Sequence, residues 1–98
     1  MVKGVIWPLK VQHQLEGIIN YITADSFQNA EKVKVDILSS TRKIQKHPEM
    51  HPVDKYKKNN DGSFRAYEIH RYRVAYPITK DEIIITRIRH TSMVPKLY

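Results

Sequence analysis

Arginines recur in the second half of the sequence at positions that predicted β-strands would bring together. Segments of alternating apolar and polar residues contain four of them: Arg65, Arg73, Arg87 and Arg89. A guanidinium group carries a permanent charge and a planar fork of donors, so a patch of these side chains suits phosphate. The same pattern fits a solvated strand face, and the residue types alone leave both interpretations open.

Acidic and imidazole side chains near these arginines would complete a ribonuclease site that uses the RNA 2′-hydroxyl. Such a reaction needs a base for that hydroxyl, cations for the phosphorane-like transition state and an acid for the leaving 5′-oxygen. Asp54 and Glu68 are candidate bases, and His90 is a candidate acid. Arg73 and Arg89 are the candidate cations. No spacing among these residues is diagnostic of that reaction, so the set stands as a hypothesis.

The tyrosines and the remaining histidines have more ordinary explanations. Tyr67, Tyr72 and Tyr76 can stack on nucleic-acid bases, but their spacing fits packing in a core better. The sequence contains no cysteine, which excludes disulfides, cysteine-ligated zinc and thiol catalysis. The histidines between residues 47 and 70 are not accompanied by an HExxH or paired-carboxylate motif. We therefore expect neither a metal ion nor any other cofactor.

Chain length and hydropathy restrict the class of protein. A chain of 98 residues has room for one domain, which we place at residues 1–98. Its longest aliphatic run, Ile83–Ile85, is far shorter than a membrane span. Residues 1–10 lack the apolar stretch of a signal peptide. We therefore expect a cytoplasmic protein that makes no membrane contact.

Charge is distributed unevenly along the chain. Residues 1–54 contain seven basic and six acidic residues, whereas residues 55–98 contain ten basic and four acidic residues. The second half therefore carries +6 of the total formal charge of +7. A domain with one strongly basic half commonly meets a polyanion or an acidic protein, although a soluble basic surface gives the same composition.

Two segments with helical spacing follow an opening strand. Val2–Trp7 is rich in β-forming residues. Apolar residues recur at helical spacing over residues 11–22 and again over residues 30–44. Asp25 or Ser26 can cap the second helix, which must end at the His-Pro pair that follows it. Two helices joined by such a short turn form an antiparallel hairpin.

From residue 49 onwards the apolar spacing changes to that of strands. Residues 50–58 are a weak strand candidate with a proline typical of an edge position. Residues 64–78 cover two strands with a bend at His70-Arg71, and residues 83–90 form a final strand. The sequence therefore predicts an α+β fold, in which the N-terminal helical hairpin packs on one face of an antiparallel sheet.

Strand alternation assigns the arginines to the face that the helices leave open. The even-numbered residues of 72–76 point towards the helices, whereas Arg71 and Arg73 point away from them. In the final strand, Arg87 and Arg89 fall on the same side as the isoleucines at 83 and 85. Because Arg73 is expected on an open strand face, alanine should replace it with little loss of folding.

Short blocks of residues along the whole chain carry a family resemblance. The most specific are Tyr-Arg-Val-Ala-Tyr at 72–76 and Arg-Ile-Arg-His at 87–90, the latter within the block Ile-Thr-Arg-Ile-Arg-His at 85–90. The other matching features are Trp7, Leu15, Ile18, Tyr21, Ile22, Ala30, Pro48 and the block Phe-Arg-Ala-Tyr-Glu-Ile at 64–69. With these features the chain resembles the RelE/ParE superfamily of toxins from bacterial type II toxin–antitoxin modules. The resemblance implies a β-α-α-β-β-β fold, a cytoplasmic location and a cognate antitoxin that wraps the toxin through an acidic or amphipathic segment.

Members of this superfamily act on two different targets. RelE-like and YoeB-like members cut mRNA in the ribosomal A site without a metal, and Arg73 matches their strand arginine. Arg89 and His90 fall where their C-terminal arginine and histidine would lie, and Asp54 lies in the region of a YoeB-like glutamate base. Thr91 follows His90, so the His-Tyr ending of YoeB-like members is missing here. ParE-like members instead poison DNA gyrase and lack most of these catalytic residues.

Trp7, the Tyr-Ile pair at 21–22 and the Arg-Ile-x-His block at 87–90 are more similar to the ParE-like branch. The leading hypothesis is a ParE-like toxin, of the plasmid-stabilisation type, that poisons DNA gyrase and is neutralised by a cognate antitoxin. The alternative is a ribosome-dependent, metal-independent mRNA endoribonuclease that uses the catalytic candidates above. A third hypothesis is an inactive nucleic-acid-binding module of the same fold. Contacts to the target are expected from Lys55, Lys57, Lys58, Arg65, Arg71 and Arg87.

Overall fold

The computed structural model describes residues 2–98, which form two helices and five short strands. The elements are β1 (Gly4–Ile6), α1 (Leu9–Thr23), α2 (Phe27–Lys46), β2 (Phe64–Ile69), β3 (Tyr72–Pro77), β4 (Glu82–Ile84) and β5 (Arg87–His90). β2, β3 and β5 form an antiparallel sheet in that order, and β1 pairs with β4 in parallel. The predicted α+β class and the helical hairpin before the antiparallel sheet are confirmed.

The helical hairpin follows the boundaries that its polar residues indicate. α1 and α2 are separated by three residues, and the Ser26 hydroxyl accepts a hydrogen bond from the Asn29 backbone N–H at 3.1 Å. Ser26 is therefore the N-cap, which selects one of the two predicted candidates. α2 ends at Lys46, and His47 leaves the helical conformation immediately before Pro48. A proline disfavours helical backbone in the residue before it, which explains this end point.

The hairpin between β2 and β3 forms at the predicted bend. His70 and Arg71 both have positive φ angles, 49° and 66°, as the two central residues of a type I′ turn require. Neither residue is glycine, so this turn depends on contacts around it. The His70 ring provides one such contact, because its Nε2 lies 2.6 Å from the Asp36 carboxylate on α2.

The predicted strand over residues 50–58 is wrong. Within it only Val53 makes a bridge, to Arg65, and the surrounding residues form turns. Pro52 cannot donate to a strand ladder, although its carbonyl accepts from the Ala66 N–H at 3.2 Å. Asp54 then accepts a hydrogen bond from the Tyr56 N–H at 3.0 Å, a side-chain turn that competes with an extended backbone. The segment therefore lies along the edge of β2 without becoming a strand.

The predicted final strand is divided into β4 and β5. The Ile85 N–H donates to the Ile6 carbonyl at 2.9 Å, whereas the Thr86 N–H donates to the Ala75 carbonyl at 3.0 Å. The chain thus leaves β1 and joins β3 between these two residues. This irregularity shifts the alternation, so Ile85 and Ile88 are both buried. The prediction that Arg87 and Arg89 share a side with the isoleucines at 83 and 85 is therefore wrong.

The hydrophobic core lies between the antiparallel sheet and the helices. Tyr72, Val74 and Tyr76 of β3 are buried there against Val11 of α1 and Ile44 of α2. Their burial confirms the predicted orientation of β3 and the core role of the tyrosines. Neither helix in the described part of the chain is long and apolar enough to cross a membrane.

Candidate functional site

The sheet face opposite the helices carries the arginines of β3 and β5 and is called the arginine face below. Pairing places Glu68, Arg73 and Arg89 side by side in one row across the three strands. The neighbouring row contains Ala66, Ala75 and Arg87. Residues directly opposite each other in antiparallel strands share a face. The alanines leave a hollow between the longer side chains.

This hollow is a pocket bordered by the catalytic candidates of the ribonuclease hypothesis. Asp54, Glu68, Arg73, Arg89 and His90 all line it. Ala75 lies at its floor, and the other lining residues are Tyr56, Arg87, Thr91, Met93, Pro95, Lys96 and Tyr98. The structure therefore brings together five side chains that the sequence spreads over 37 positions, from Asp54 to His90.

An ion pair between Asp54 and Arg73 lies at the base of this pocket. The Arg73 Nη2 donates to Asp54 Oδ1 at 3.0 Å, and Asp54 is only 2% exposed. The Tyr56 N–H donates to the same oxygen, and the Tyr98 hydroxyl donates to Oδ2 at 2.5 Å. Glu68 lies 3.5 Å from Arg73 and is largely exposed. Both oxygens of Asp54 therefore accept hydrogen bonds, and the Arg73 guanidinium lies beside two carboxylates.

These contacts change how Asp54 and Tyr98 titrate. Burial raises the pKa of Asp54, but the hydrogen bonds from Tyr98, Tyr56 and Arg73 together outweigh burial and hold that pKa below its usual value. Burial and the neighbouring Asp54 carboxylate raise the pKa of the Tyr98 hydroxyl. Asp54 is therefore an ionised acceptor at neutral pH, and Tyr98 is its neutral donor. A carboxylate held in this way is a weak base.

Residues 91–98, called the closing segment below, form one wall of the pocket. The Tyr98 N–H donates to the Tyr56 carbonyl at 3.0 Å, and the Lys58 N–H donates to the Tyr98 carbonyl at 2.7 Å. The Tyr98 ring lies 4.4 Å from the Arg87 guanidinium and 5.5 Å from the Lys57 ammonium, within the range of cation–π attraction. Arg87 also donates to the Lys96 carbonyl at 3.2 Å.

Tyr98 is the site residue that sequence reasoning missed. Its partner Asp54 lies 44 positions earlier in the chain, so no local pattern connects the two. The only signal is its type, since a tyrosine combines an apolar ring with a hydroxyl that seeks a partner when buried.

Replacing Tyr98 with phenylalanine should make the stability less dependent on acid pH. The variant loses a donor to a buried carboxylate, so the pKa of Asp54 rises towards its unfolded value, about 3.9. A lowered folded pKa stabilises the protein above the unfolded pKa, and this contribution disappears as pH falls through the folded pKa. We expect Tyr98→Phe to lower the free energy of unfolding by about 1–2 kcal/mol at pH 7. Urea unfolding of the parent chain and the variant at pH 7 and pH 3 measures this loss of free energy. An equal loss at both pH values would contradict a hydrogen bond from Tyr98 to an ionised Asp54.

His90 and Arg89 line the end of the pocket that β5 supplies. The Ser92 N–H donates to His90 Nδ1 at 3.0 Å, so in this arrangement Nδ1 is an acceptor and Nε2 carries the proton. The imidazole also meets the Tyr72 ring edge to face, with ring centres 5.1 Å apart. The Arg89 side chain makes no ion pair and no hydrogen bond with another side chain or carbonyl of residues 2–98. This end of the pocket is therefore able to bind an anion.

The predicted target-binding residues are not all on the arginine face. Arg65 lies on the opposite side of β2, where its Nη1 donates to the His51 carbonyl at 2.9 Å. The expected patch of four arginines therefore contains three. Arg71 is exposed in the β2–β3 turn. Lys55, Lys57 and Lys58 lie in the loop that borders the pocket beside Tyr56.

The histidines and acidic residues are dispersed. In the part of the chain that the structure describes, no group of three or more such side chains is arranged to hold a metal ion. His51 instead stacks on Tyr67, with ring centres 4.2 Å apart, and burial lowers its pKa. His70 pairs with Asp36, as described above.

Comparison with known proteins identifies the family of the chain. A comparison with curated proteins gives no match. Residues 5–95 match the family described as "ParE toxin of type II toxin-antitoxin system, parDE". The match covers nearly the whole chain, including both helices, the arginine face and most of the closing segment. The chain therefore belongs to the ParE toxin family of type II toxin–antitoxin systems.

Proposed function

We propose that this toxin arrests growth by poisoning DNA gyrase in the cytoplasm and that a cognate antitoxin neutralises it. Membership of the ParE family supports this target. The structural observation that supports it most is the state of Asp54, whose two oxygens are occupied by Tyr98, Tyr56 and Arg73. A group that must abstract a proton needs a free lone pair within reach of the substrate. Asp54 lacks one.

The arginine face would then contact protein. Arg87 and Arg89 extend from β5, and Lys96 lies beside them on the closing segment. The half of the chain that contains these residues carries +6, which attracts acidic surfaces over long distances and increases association rates. In this proposal the toxin breaks no bond itself, and its arginines orient it on its target.

A ribosome-dependent endoribonuclease is the second candidate because all five of its predicted residues line one pocket. With Asp54 engaged, Glu68 would have to act as the base, since its side chain is 59% exposed. Arg73 and Arg89 would contact the scissile phosphate. His90 would be the acid through Nε2, the ring nitrogen that its contacts with Ser92 leave free.

Expression of the chain without its antitoxin should stop bacterial growth, and co-expression of the small open reading frame beside it should restore growth. In extracts, we expect the purified chain to inhibit supercoiling by gyrase and to leave translated mRNA uncut in primer-extension assays. New cuts at A-site codons with unaffected supercoiling would favour the endoribonuclease. Normal growth at confirmed soluble expression would instead favour an inactive nucleic-acid-binding module.

Glu68→Gln is the variant that separates the two targets. It removes the one exposed carboxylate of the pocket and leaves the Asp54–Arg73 pair in place. If the chain poisons gyrase, this variant should remain toxic. If the chain cuts RNA, loss of its base should reduce cleavage by about 100-fold or more. Loss of toxicity in a variant with unchanged thermal stability would therefore contradict the gyrase proposal.

A further inference from the structure

We propose that the outer edge of β5 takes up an extended segment of the target protein as an additional strand, in the groove between β5 and α1. This inference rests on the proposed action on a target protein and names how the toxin holds that protein. The groove, called the α1–β5 groove below, is distinct from the pocket on the arginine face, although Arg89, His90 and Met93 border both.

Backbone hydrogen-bonding groups point outwards from β5. The Thr91 N–H donates to the Arg71 carbonyl at 2.7 Å, so the odd-numbered residues of β5 pair with β3. Because these groups alternate in direction along an antiparallel strand, those of Ile88 and His90 point away from β3. β5 is the last strand in the sheet order β2-β3-β5 of the described residues. It therefore presents an edge to which another strand can add.

The outer edge of β5 is covered only loosely. The Ile88 N–H meets the side-chain oxygen of Gln14 on α1 at 3.4 Å, which is long for a hydrogen bond. The opposite edge of the sheet is covered more tightly, because backbone hydrogen bonds of 2.8 and 3.2 Å join β2 to residues 52–54. An added strand would replace the Gln14 contact with a backbone bond and would also pair with the Ile88 carbonyl and the His90 N–H.

The space beside this edge is large enough for an extended chain. The α1–β5 groove has a volume of about 590 Å³, and its walls include Ile18 and Tyr21 of α1 and Tyr72 and Ile88 of the sheet. Ligand sites in proteins commonly measure roughly 300–1,000 Å³. Neighbouring strands lie about 4.7–4.9 Å apart, so a strand added to β5 would run along this groove and cover its apolar walls.

Gly17 forms part of the α1 wall of the groove and has no packing role within the described chain. It lies in the interior of α1, where glycine is less favourable than alanine. A Cβ at this position would have no packing partner within 4 Å among residues 2–98. A position without a side chain lets the backbone of an added strand approach the helix closely. Gly17 is thus a second observation, independent of the strand edge, that favours an occupant of the groove.

Pairing with β5 determines which side chains the added strand should carry. Residues opposite each other share a face, so the side chains opposite Ile88 and His90 enter the groove and should be apolar. The side chain between them lies opposite Arg89 and should be acidic, because the described residues that line the groove include Arg89 and no carboxylate. A second copy of the chain fits poorly, since two β5 strands paired about Arg89 would set like charges opposite each other. The expected pattern is apolar, acidic, apolar.

The test compares Gly17→Gln with Asn20→Gln, a matched control that places the same side chain elsewhere on α1. Asn20 is exposed and is not among the residues that line the groove. Glutamine favours helix more than glycine does, so Gly17→Gln should unfold at the temperature of the parent chain or above it. Its side chain enters the groove, so inhibition of gyrase supercoiling should need about 10-fold more protein, as expected for the loss of about two backbone hydrogen bonds. The control should differ from the parent chain by less than about twofold.

A labelled peptide with Val-Glu-Val at its centre tests the mode of binding. Methylation of the amide nitrogens of both valines should weaken its binding to the parent chain by roughly 10-fold, because a methylated amide cannot donate to the Ile88 carbonyl. Lysine in place of the glutamate should also weaken binding, since it sets a like charge opposite Arg89. Gly17→Gln should weaken binding of the unmodified peptide, and Asn20→Gln should leave it unchanged.

Three results would overturn the inference. If the parent chain does not bind the peptide, or binds the methylated and unmodified peptides equally, β5 does not accept a strand. If Gly17→Gln inhibits gyrase as well as the parent chain does, the target does not use the groove. If that variant still inhibits gyrase but no longer binds the antitoxin, the groove belongs to the antitoxin. Failure of the parent chain to inhibit gyrase would instead contradict the proposed function, and the peptides would still decide whether β5 accepts a strand.

Discussion

Arg73→Ala should destabilise the protein by about 3 kcal/mol, because it leaves the Asp54 carboxylate buried without its cation. Asp54 has a side chain that is 1% exposed, whereas Arg73 is 22% exposed. Removal of one member of such a pair costs more than the pair contributes, since the remaining charge keeps its desolvation penalty. For a domain of this size the melting temperature should fall by about 15 °C. This outcome differs from the sequence-based expectation of little loss of folding.

Urea unfolding of two further variants shows whether Arg73→Ala is destabilised by loss of the ion pair or by loss of side-chain packing. Arg73→Lys keeps the charge but not the planar fork, so it should recover part of the loss. Asp54→Asn combined with Arg73→Ala should be less destabilised than the sum of the single variants, because the double variant contains no unpaired charge. Additive losses would mean that Arg73 stabilises the sheet through packing alone. Any effect of Arg73→Ala on toxicity must accordingly be compared at equal amounts of folded protein.

The helices and the orientation of β3 were predictable because their information is local. Apolar residues three and four positions apart define the buried side of each helix, and a serine three residues before a free N–H caps α2. In β3, tyrosine and valine alternate with arginine and alanine, and the helical hairpin supplies only one face to cover. Alternation was therefore enough to place Arg73 on the arginine face.

The strands that failed to match the prediction depend on distant partners. Residues 83–90 look continuous in sequence, but Ile85 is hydrogen-bonded to β1 and Thr86 to β3. Nothing in the run itself marks the point at which the chain passes from one sheet to the other. Likewise, residues 50–58 become a loop because Asp54 is held by Tyr98 and Arg73, which lie 44 and 19 positions away.

The candidate site shows the same division between local and distant information. Residue type and strand spacing selected Arg73, Arg87 and Arg89, and the structure gathers them on one face. Which of these arginines is ion-paired was not predictable, because that depends on which cation each carboxylate reaches in the folded chain. The pairing of Asp54 changes it from a candidate base into a structural acceptor, and Arg89 is the arginine of this face that has no side-chain partner among residues 2–98.

Ile85→Ala should be the most destabilising truncation at the junction of the two sheets, with a loss of about 3 kcal/mol. Ile85 is fully buried, and its N–H is the last link between this part of the chain and β1 before Thr86 joins β3. Alanine retains that hydrogen bond but leaves a cavity where the core meets both sheets. Val35→Ala on the exposed side of α2 is the control and should cost less than about 0.5 kcal/mol.

The junction also fixes how β5 presents its arginines, so Ile85→Ala has a second expected effect. If Ile85 holds β4 and β5 in their different sheets, amide hydrogen exchange should become faster in β5 and β4 than in β2. The Arg73–Arg89 pairing should then loosen while the β2–β3 hairpin persists, because that hairpin has its own ladder of six residue pairs. A uniform increase in exchange across all strands would mean that Ile85 contributes to the core in general and has no specific role in positioning the arginine face.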